Sequence, residues 1–153
     1  MKRDLSRLLR PKSIAIFGGG WSERVVHQCI EMGFQGEIWP VHPKNGSIAG
    51  LNCYPSAEAL PAAPDASCVG VNRNATVDIV GDLARMGAGG AVCFASGFRE
   101  VTDGTDLEQQ LVTAAGDMPI LGPNCYGYIN YAAGALLWPD QHGGRACDKG
   151  VAI

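Results

Sequence analysis

The feature that most constrains the fold is the stretch Ser13 to Ser22, SIAIFGGGWS, in which an apolar run leads directly into three glycines. A short apolar run that ends in glycine predicts a buried strand followed by a tight turn. The polar residues that follow predict a helix beginning at this turn. Such a corner lets the backbone approach a ligand closely and offers helix N–H groups to negative charge. It is typical of nucleotide-binding α/β proteins, and also of ordinary strand-to-helix connections.

Strands and helices alternate along the rest of the chain. Further strands are predicted at Glu37 to Val41, Cys68 to Val71, Gly90 to Ala95 and Pro119 to Gly122. Helical spacing of apolar residues predicts a helix that ends at Gly33, a short capped helix at Ser56 to Leu60, a helix from Ala75 to about Met86 with Asn74 as its N-cap, and a helix around Leu107 and Leu111. Short hairpin strands are predicted at Gly127 to Asn130 and Ala135 to Leu137. This order predicts an α/β fold of the Rossmann-like, doubly wound type, with a mainly parallel sheet and helices on both faces.

Composition narrows the class of protein. The 153 residues are about one domain in length, so residues 1–153 are treated as one unit. A net charge of -3 provides no basic field for nucleic acid, and the first apolar run is too short to span a membrane or to form the core of a signal peptide. The six cysteines form no CxxC pair, and several lie inside apolar runs. We therefore expect reduced thiols, a cytoplasmic location, and neither nucleic acid nor membrane as a partner.

In a doubly wound sheet, ligands bind beyond the carboxyl ends of the strands. The residues that follow those ends are Gly18 to Ser22, His42 to Lys44, Asn72 and Arg73, Ser96 to Phe98, and Gly122 to Asn124. The candidate site residues among them are Gly18, Gly19, Gly20, Trp21, Ser22, Pro43, Lys44, Asn72, Arg73, Ser96, Gly97 and Asn124. Trp21 is expected to be either a lid on the ligand or a packed aromatic residue.

The loop after the second predicted strand discriminates among nucleotide ligands. An NAD site predicts GxGxxG and an acidic residue at the end of that strand. Here Glu23 occupies the third glycine position, and the strand ends in His42, Pro43 and Lys44. A lysine favours a phosphate on the adenosine ribose, which both NADP and coenzyme A (CoA) carry. From composition alone, Lys44 is as well explained as a solvated loop charge, and Arg73 as a partner in a surface ion pair.

The sequence provides no catalytic or metal-binding set. His27 is expected on a polar face of the first helix after the glycines, and His42 and His142 lie in loops without carboxylates or cysteines at metal-ligand spacing. Cys93 and Cys125 lie near the predicted site, but neither has an adjacent base that would lower its pKa. We therefore predict inert thiols and no metal ion.

Four motifs carry a resemblance to a known family, and they lie in the family's order and spacing. They are LLRPKSIAIFGGG at Leu8 to Gly20, PVHPK at Pro40 to Lys44, FASGF at Phe94 to Phe98, and LGPNCYG at Leu121 to Gly127. The chain resembles the N-terminal CoA-binding domain of NDP-forming acyl-CoA synthetases, which are related to the α subunit of succinyl-CoA synthetase. It departs from the family in two loops: GGGWS is shorter than usual, and Asn72 and Arg73 replace small or proline residues.

The resemblance implies a role for each loop. It implies that Gly18 to Ser22 contact the pantetheine and diphosphate of CoA, and that Pro43 and Lys44 contact the adenosine end. It further implies that Asn72 and Arg73 border the nucleotide, while Ser96, Gly97 and Asn124 flank the arm that carries the thiol.

The resemblance also implies what the full-length enzymes do. They convert a carboxylic acid, CoA and ATP into an acyl-CoA, ADP and phosphate, through an acyl phosphate and a phosphorylated histidine in a later domain. ATP, ADP and Mg²⁺ belong to that succinyl-CoA-synthetase-like domain and to an ATP-grasp domain or subunit, and GVAI at Gly150 to Ile153 matches the first strand of the next domain. This chain is then expected to hold CoA and to catalyse nothing alone. A stand-alone CoA-binding or regulatory module and an NADP-binding redox domain are the alternatives.

Overall fold

The computed structural model describes residues 3–102 and 104–150. The helices are α1 (Ser6–Leu9), α2 (Gly20–Met32), α3 (Arg73–Arg85) and α4 (Thr105–Ala115), with a 3-10 turn at Ala57–Ala59. The strands are β1 (Ser13–Phe17), β2 (Glu37–Val41), β3 (Ser47–Ile48), β4 (Leu51–Asn52), β5 (Ala66–Val69), β6 (Ala91–Cys93), β7 (Ile120–Leu121), β8 (Tyr128–Asn130) and β9 (Ala135–Leu137). The predicted GVAI strand covers residues 150–153, and 151–153 lie outside the described residues.

Five strands form one parallel sheet in the order β2-β1-β5-β6-β7. Ile16 lies opposite Pro40 of β2 on one side and opposite Cys68 of β5 on the other. The chain therefore runs outward from β1 to β2, then crosses back to continue at β5. This reversal creates a topological switch point between β1 and β5, where a crevice opens at the carboxyl ends of the strands.

Two apolar cores, one on each face of the sheet, hold the helices in place. Ile14 and Ile16 of β1 point into the core formed with α2 and the β8–β9 hairpin. Ala15 and Phe17 point into the other core, which includes buried residues of α3 and α4. This alternation follows from the two-residue period of a strand, with both faces apolar because both are covered. The predicted doubly wound α/β fold is confirmed.

Helix α2 is terminated as the sequence predicts. Gly33 has φ of 73°, in the left-handed region that side chains disfavour, and its N–H donates to the carbonyl of Ile30 at 2.9 Å. The N–H of Phe34 donates to the carbonyl of Cys29 at 3.1 Å, which satisfies a second carbonyl of the last turn.

Helix α3 begins earlier than predicted. Asn72, and not Asn74, is its N-cap: the Asn72 side-chain oxygen accepts from the N–H of Ala75 at 3.0 Å. Asn72 has the extended backbone of a cap, whereas Asn74 is already the second helical residue. The prediction for Asn74 is therefore wrong.

Other boundaries also differ from the predictions. Strand β5 ends at Val69, two residues before the predicted end at Val71, because the parallel pairing with β1 stops there. Strands β6 and β7 are shorter than predicted, and the segment at Ser56 to Leu60 is a single 3-10 turn without a side-chain cap. The β3–β4 hairpin is not predicted from the sequence. The β8–β9 hairpin confirms the prediction for the last part of the chain.

Candidate functional site

Two clefts lie side by side along the carboxyl edge of the sheet. The first cleft, of about 480 Å³, lies at the ends of β1, β2 and β5. The second cleft, also of about 480 Å³, lies at the ends of β5 and β6 and beside the turn after β7. Val71 and Asn72 line both clefts, so a ligand longer than either one can continue past these two residues. This is the position where the switch-point rule places ligands.

The glycine turn forms the inner end of the first cleft. Gly18 has φ of 118°, and a Cβ there would overlap the carbonyl oxygen of Gly70 and lie 2.8 Å from the Ser22 hydroxyl. Only glycine allows the loops after β1 and β5 to approach this closely. Gly19 also lines the cleft and precedes the first residue of α2, so the positive end of the helix dipole lies beside it. The turn can therefore accept an anionic group.

Ser22 supports this turn from beneath. Its side chain is buried, and its hydroxyl donates to the Phe17 carbonyl at 2.7 Å. The hydrogen bond joins the first turn of α2 to the end of β1. The structure thus places this predicted site residue behind the glycines, with its hydroxyl directed to the protein backbone.

His42 follows a predicted strand end but is not among the candidate site residues, and the structure places it in the wall of the first cleft. Its Nδ1 accepts from the backbone N–H groups of Lys44 at 3.2 Å and Asn45 at 3.0 Å. These bonds leave Nε2 as the ring donor, and Nε2 lies 4.0 Å from the Cβ position of Gly19. Pro43 lines the same cleft, whereas Lys44 is exposed in the following turn and does not form its wall. The HPKN turn chemistry was the available signal for His42.

Nonpolar residues dominate the outer part of the first cleft. Pro55, Ala57 and Ile79 line it, and Pro55 follows Tyr54, whose carbonyl accepts from the N–H of His42 at 2.9 Å. Two polar side chains, Ser56 and Asp82, accompany them. A flat apolar group with polar edges suits such a surface, since a few placed polar groups orient a ligand in a mostly apolar pocket.

Arg73 joins the two loops that border the second cleft. Its Nη1 donates to the Gly97 carbonyl at 2.6 Å, across the gap between the loops after β5 and β6. Gly97 has φ of 90°, and its N–H donates to Glu100 at 2.6 Å. The N–H groups of Glu100 itself and of Gly97 hold the pKa of the Glu100 carboxyl below its usual value. The Gly97 loop is therefore held from both sides.

The turn after β7 forms the far wall of the second cleft. The N–H of Asn124 donates to the Ala95 carbonyl at 2.8 Å, and the N–H of Cys125 donates to the Cys93 carbonyl at 3.1 Å. These bonds fasten the LGPNCYG turn to the end of β6. Ser96 and Asn124 are exposed in the cleft, and Cys125 is half-buried there.

Trp21 belongs to an aromatic group at the edge of the second cleft. Its ring lies 5.5 Å from the Phe94 ring and 6.2 Å from the Tyr126 ring, measured between centroids. Arg24 covers Trp21 at 4.7 Å, yet 45% of the tryptophan remains exposed. Trp21 is thus partly packed and partly open to a ligand. Phe94 and Tyr126 line the cleft and were not singled out in the sequence.

Residues 12–131 match the protein family described as CoA binding domain. The chain belongs to this family.

Relatives of the CoA-binding domain are acyl-CoA-forming enzymes. Over 137 residues it is 34% identical to a trans-feruloyl-CoA synthase from an unknown prokaryotic organism, a match that covers 84% of this chain and 19% of that protein. Over 141 residues it is 32% identical to acetate–CoA ligase (ADP-forming) II of Archaeoglobus fulgidus, covering 87% of this chain and 21% of the ligase. The chain thus spans about one fifth of the length of these curated relatives. The resemblance read from the four motifs is confirmed.

A solved structure shares the fold of the CoA-binding domain. It is the apo form of the dinucleotide-forming acetyl-coenzyme A synthetase 1 of Ca. Korarchaeum cryptofilum, which superposes with a TM-score of 0.80 at 30% sequence identity. The match covers 86% of this chain and 30% of the synthetase chain.

The CoA-binding domain brings most of the predicted site residues to one edge of the sheet. The residues that line the two clefts are Gly18, Gly19, Pro43, Asn72, Arg73, Ser96 and Asn124. Gly20 and Trp21 begin α2 beside them, Ser22 and Gly97 support the loops, and Lys44 extends from the turn next to Pro43.

The buried cysteine thiols of the CoA-binding domain have raised pKa values, as expected for unreactive thiols in the core. Burial raises the pKa of the Cys93 thiol to about 12, and Cys68 beside it is raised to the same value for the same reason. Both thiols therefore stay protonated near neutral pH. Within residues 3–102 and 104–150, no three His, Cys, Asp or Glu side chains cluster as metal ligands. Over the same residues, no helix has the length and apolar character needed to cross a membrane.

Proposed function

We propose that this chain is the CoA-holding part of an ADP-forming acyl-CoA synthetase, which joins a carboxylic acid to CoA at the expense of ATP. The observation that carries the proposal is the pair of clefts that meet at Val71 and Asn72. One cleft contains a glycine turn at a helix N-terminus, which favours an anionic group such as a diphosphate, and the other ends at the LGPNCYG turn. The relationship to acetate–CoA ligase and trans-feruloyl-CoA synthase supports the same reading.

In this proposal CoA extends across both clefts. Its diphosphate lies against Gly18, Gly19 and Gly20, where the α2 dipole and the His42 Nε2–H favour negative charge. The adenosine end occupies the apolar surface near Pro43, and Lys44 reaches the ribose phosphate. The pantetheine arm passes Asn72 and Arg73 into the second cleft.

The thiol end then lies near Ser96, Gly97 and Asn124. The Arg73–Gly97 hydrogen bond keeps the loop after β6 in place, so the cleft holds the arm extended. Both Trp21 and Ser22 lie at the start of α2. Trp21 borders the second cleft, and Ser22 supports the glycine turn through its hydrogen bond to Phe17.

The chemistry of the whole enzyme belongs to other parts of it. We propose that ATP, ADP and Mg²⁺ bind to a succinyl-CoA-synthetase-like domain and an ATP-grasp domain or subunit, which are the partners of this chain. The role of the residues described here is to bind and orient CoA, and none of them is assigned a catalytic role. We also propose a cytoplasmic location for this chain. The free thiols of Cys29, Cys68 and Cys93, which are buried, support it.

Calorimetric titration of the chain with CoA and with 3′-dephospho-CoA tests the proposal. CoA is expected to bind, and removal of the ribose phosphate or the substitution Lys44→Ala is expected to weaken binding by roughly tenfold to one hundredfold, the scale of one charge-assisted hydrogen bond. The two changes together should cost little more than either alone, because they remove the same contact. Lys12→Ala is the matched control, since Lys12 precedes β1 at the opposite edge of the sheet.

Thermal unfolding of the chain discriminates between CoA and the dinucleotide NADPH as its ligand. A ligand that binds only the native state raises the unfolding temperature, so CoA should protect the chain from thermal unfolding more than NADPH does at equal concentration. Absence of CoA binding at millimolar concentration, with the fold intact by circular dichroism, would contradict the proposal. Stronger protection by NADPH would favour a redox domain.

A further inference from the structure

Four aromatic rings form a continuous surface beside the second cleft, which we call the aromatic wall: Trp21, Phe94, Tyr126 and Trp138. Neighbouring ring centroids lie 4.6 to 6.2 Å apart. Trp21 and Tyr126 keep 45% and 37% of their surface exposed. Large aromatic side chains are normally buried, so a contiguous exposed group of them indicates a surface that another molecule covers.

The aromatic wall is an extension of the second cleft. Phe94 and Tyr126 line this cleft together with Asn124 and Cys125 of the turn after β7. Trp21 extends the wall from Phe94 and Tyr126 toward the start of α2, and only a gap of about 10 Å³ separates these three rings from the core. A group that leaves the cleft past the LGPNCYG turn therefore meets ring faces and edges.

Polar contacts hold the aromatic wall in its orientation. The Tyr126 hydroxyl donates to Asp140, and Asp140 also lies 3.5 Å from the Arg24 guanidinium. The same guanidinium lies over the Trp21 ring at 4.7 Å. Because Trp21 and Tyr126 are held before anything binds, a ligand that stacks on them loses little free energy in ordering the side chains.

We propose that the acyl group carried on CoA in this site is aromatic, and that it packs on the aromatic wall at Tyr126 and Trp21. The inference rests on the proposed function, which places the thiol end of CoA in the second cleft. An acyl group extends beyond the sulfur, toward the wall. A methyl group covers too little area to use two exposed rings, whereas a planar aryl group covers both and gains offset or edge-to-face contacts. The enzyme's acid substrate is then a carboxylic acid that carries an aryl group.

Titration of the chain with free CoA, acetyl-CoA and benzoyl-CoA tests this inference. Benzoyl-CoA is expected to bind about tenfold more tightly than acetyl-CoA, the scale of one good aromatic contact. The ratio of the two dissociation constants is the readout, because a general loss of CoA affinity cancels within each variant. Tyr126→Ala should bring the ratio to within about twofold. Tyr126→Leu, which retains apolar volume without a ring, should do the same if the alanine variant unfolds.

Tyr131→Ala is the matched control, because Tyr131 packs against His142 and is no part of the aromatic wall. It should leave the ratio unchanged. Equal binding of benzoyl-CoA and acetyl-CoA would overturn the inference while the proposed function stands, and would assign the wall to contact with another domain or subunit. A preference that survives both Tyr126 variants would also overturn it. Failure of free CoA to bind would reject the proposed function, and the inference with it.

Discussion

The Arg73 guanidinium donates to the Gly97 carbonyl at 2.6 Å, so two residues predicted to contact a ligand bind each other. The bond links the loops after β5 and β6 across the second cleft. Gly97 has a left-handed backbone, with φ of 90°, and a Cβ there would lie 3.1 Å from the Arg73 side chain. Arg73 therefore positions the backbone of the cleft, in addition to any direct contact with CoA.

Removal of this bond should loosen the cleft. Arg73→Ala is expected to lower the free energy of unfolding by about 1 kcal/mol and to weaken CoA binding severalfold, because the Gly97 carbonyl loses its charged donor. Arg73→Lys should recover part of the lost stability and part of the lost CoA affinity, since one ammonium donor can replace a single hydrogen bond. Urea unfolding and calorimetry measure the two effects. Arg99→Ala, which removes an exposed ion pair with Glu108, is the control. If Arg99→Ala lost as much stability and CoA affinity as Arg73→Ala, the Arg73–Gly97 bond would not be the cause.

The glycine turn predicts a contrast between neighbouring positions. Gly18→Ala should destabilise the fold by about 3 kcal/mol, because the new Cβ would meet the Gly70 carbonyl and the backbone has a positive φ. Gly20→Ala should leave stability unchanged or slightly raised, since a Cβ at Gly20 meets no heavy atom within 4 Å. Thermal unfolding of both variants provides the comparison. Similar unfolding temperatures for the two would show that the close approach at Gly18 is unimportant.

The cysteines should differ in reactivity. Burial raises the pKa of Cys29, Cys68 and Cys93 to about 12, which leaves little thiolate and no access for reagent at pH 8. Cys147 is exposed. Iodoacetamide is therefore expected to modify Cys147 in the native chain and the three buried thiols only after unfolding, as peptide mapping by mass spectrometry can measure. Rapid native labelling of Cys93 would contradict the buried assignment.

Asp65 should make stability depend on pH in the acid range. Burial acts to raise the pKa of its carboxyl, but hydrogen bonds from Arg7 at 2.6 Å and from the Lys12 N–H at 2.8 Å outweigh it and lower the pKa. A lowered folded-state pKa contributes stability that is present above the unfolded value, about 3.9, and is lost as pH falls through the folded value.

The variant Asp65→Asn measures this contribution. At pH 7 it should lower the free energy of unfolding by about 1 to 2 kcal/mol, through the loss of charged hydrogen bonds. The difference from the unmodified chain should shrink below about pH 4, where the aspartate itself becomes protonated. Urea unfolding across pH provides the measurement, with Asp78→Asn on an exposed position of α3 as control. A difference that is constant from pH 7 to pH 3 would rule out the ionic origin.

The sequence predicted the sheet well because its signals are local. Apolar runs mark the strands, and Gly33 marks the end of α2 through its own backbone. The cap of α3 was misplaced because Asn72 and Asn74 are chemically alike, and only the extended backbone of Asn72 distinguishes them. The β3–β4 hairpin was missed because two-residue strands are too short to show a period.

The sequence predicted which loops border the clefts better than it predicted the contacts within those loops. The strand-end rule correctly gathered residues such as Pro43 and Asn124 at the clefts. It could not show that the Ser22 hydroxyl donates its hydrogen bond to the Phe17 carbonyl, since that contact depends on how α2 packs on β1. Tyr126 was missed because a loop aromatic has the same sequence signature whether it is buried or lines a cleft.

The boundary at Val71 and Asn72 bears on how such a chain changes over evolutionary time. On the proposed function, mutations in the aromatic wall alter which acid is selected, while the glycine turn of the first cleft continues to bind the carrier. On the same proposal, mutations in the first cleft change the affinity for CoA and leave the choice of acid unchanged. On the proposed function, the choice of acid and the hold on the diphosphate of CoA rest on different residues, so a lineage can acquire a new acid while it keeps the glycine turn.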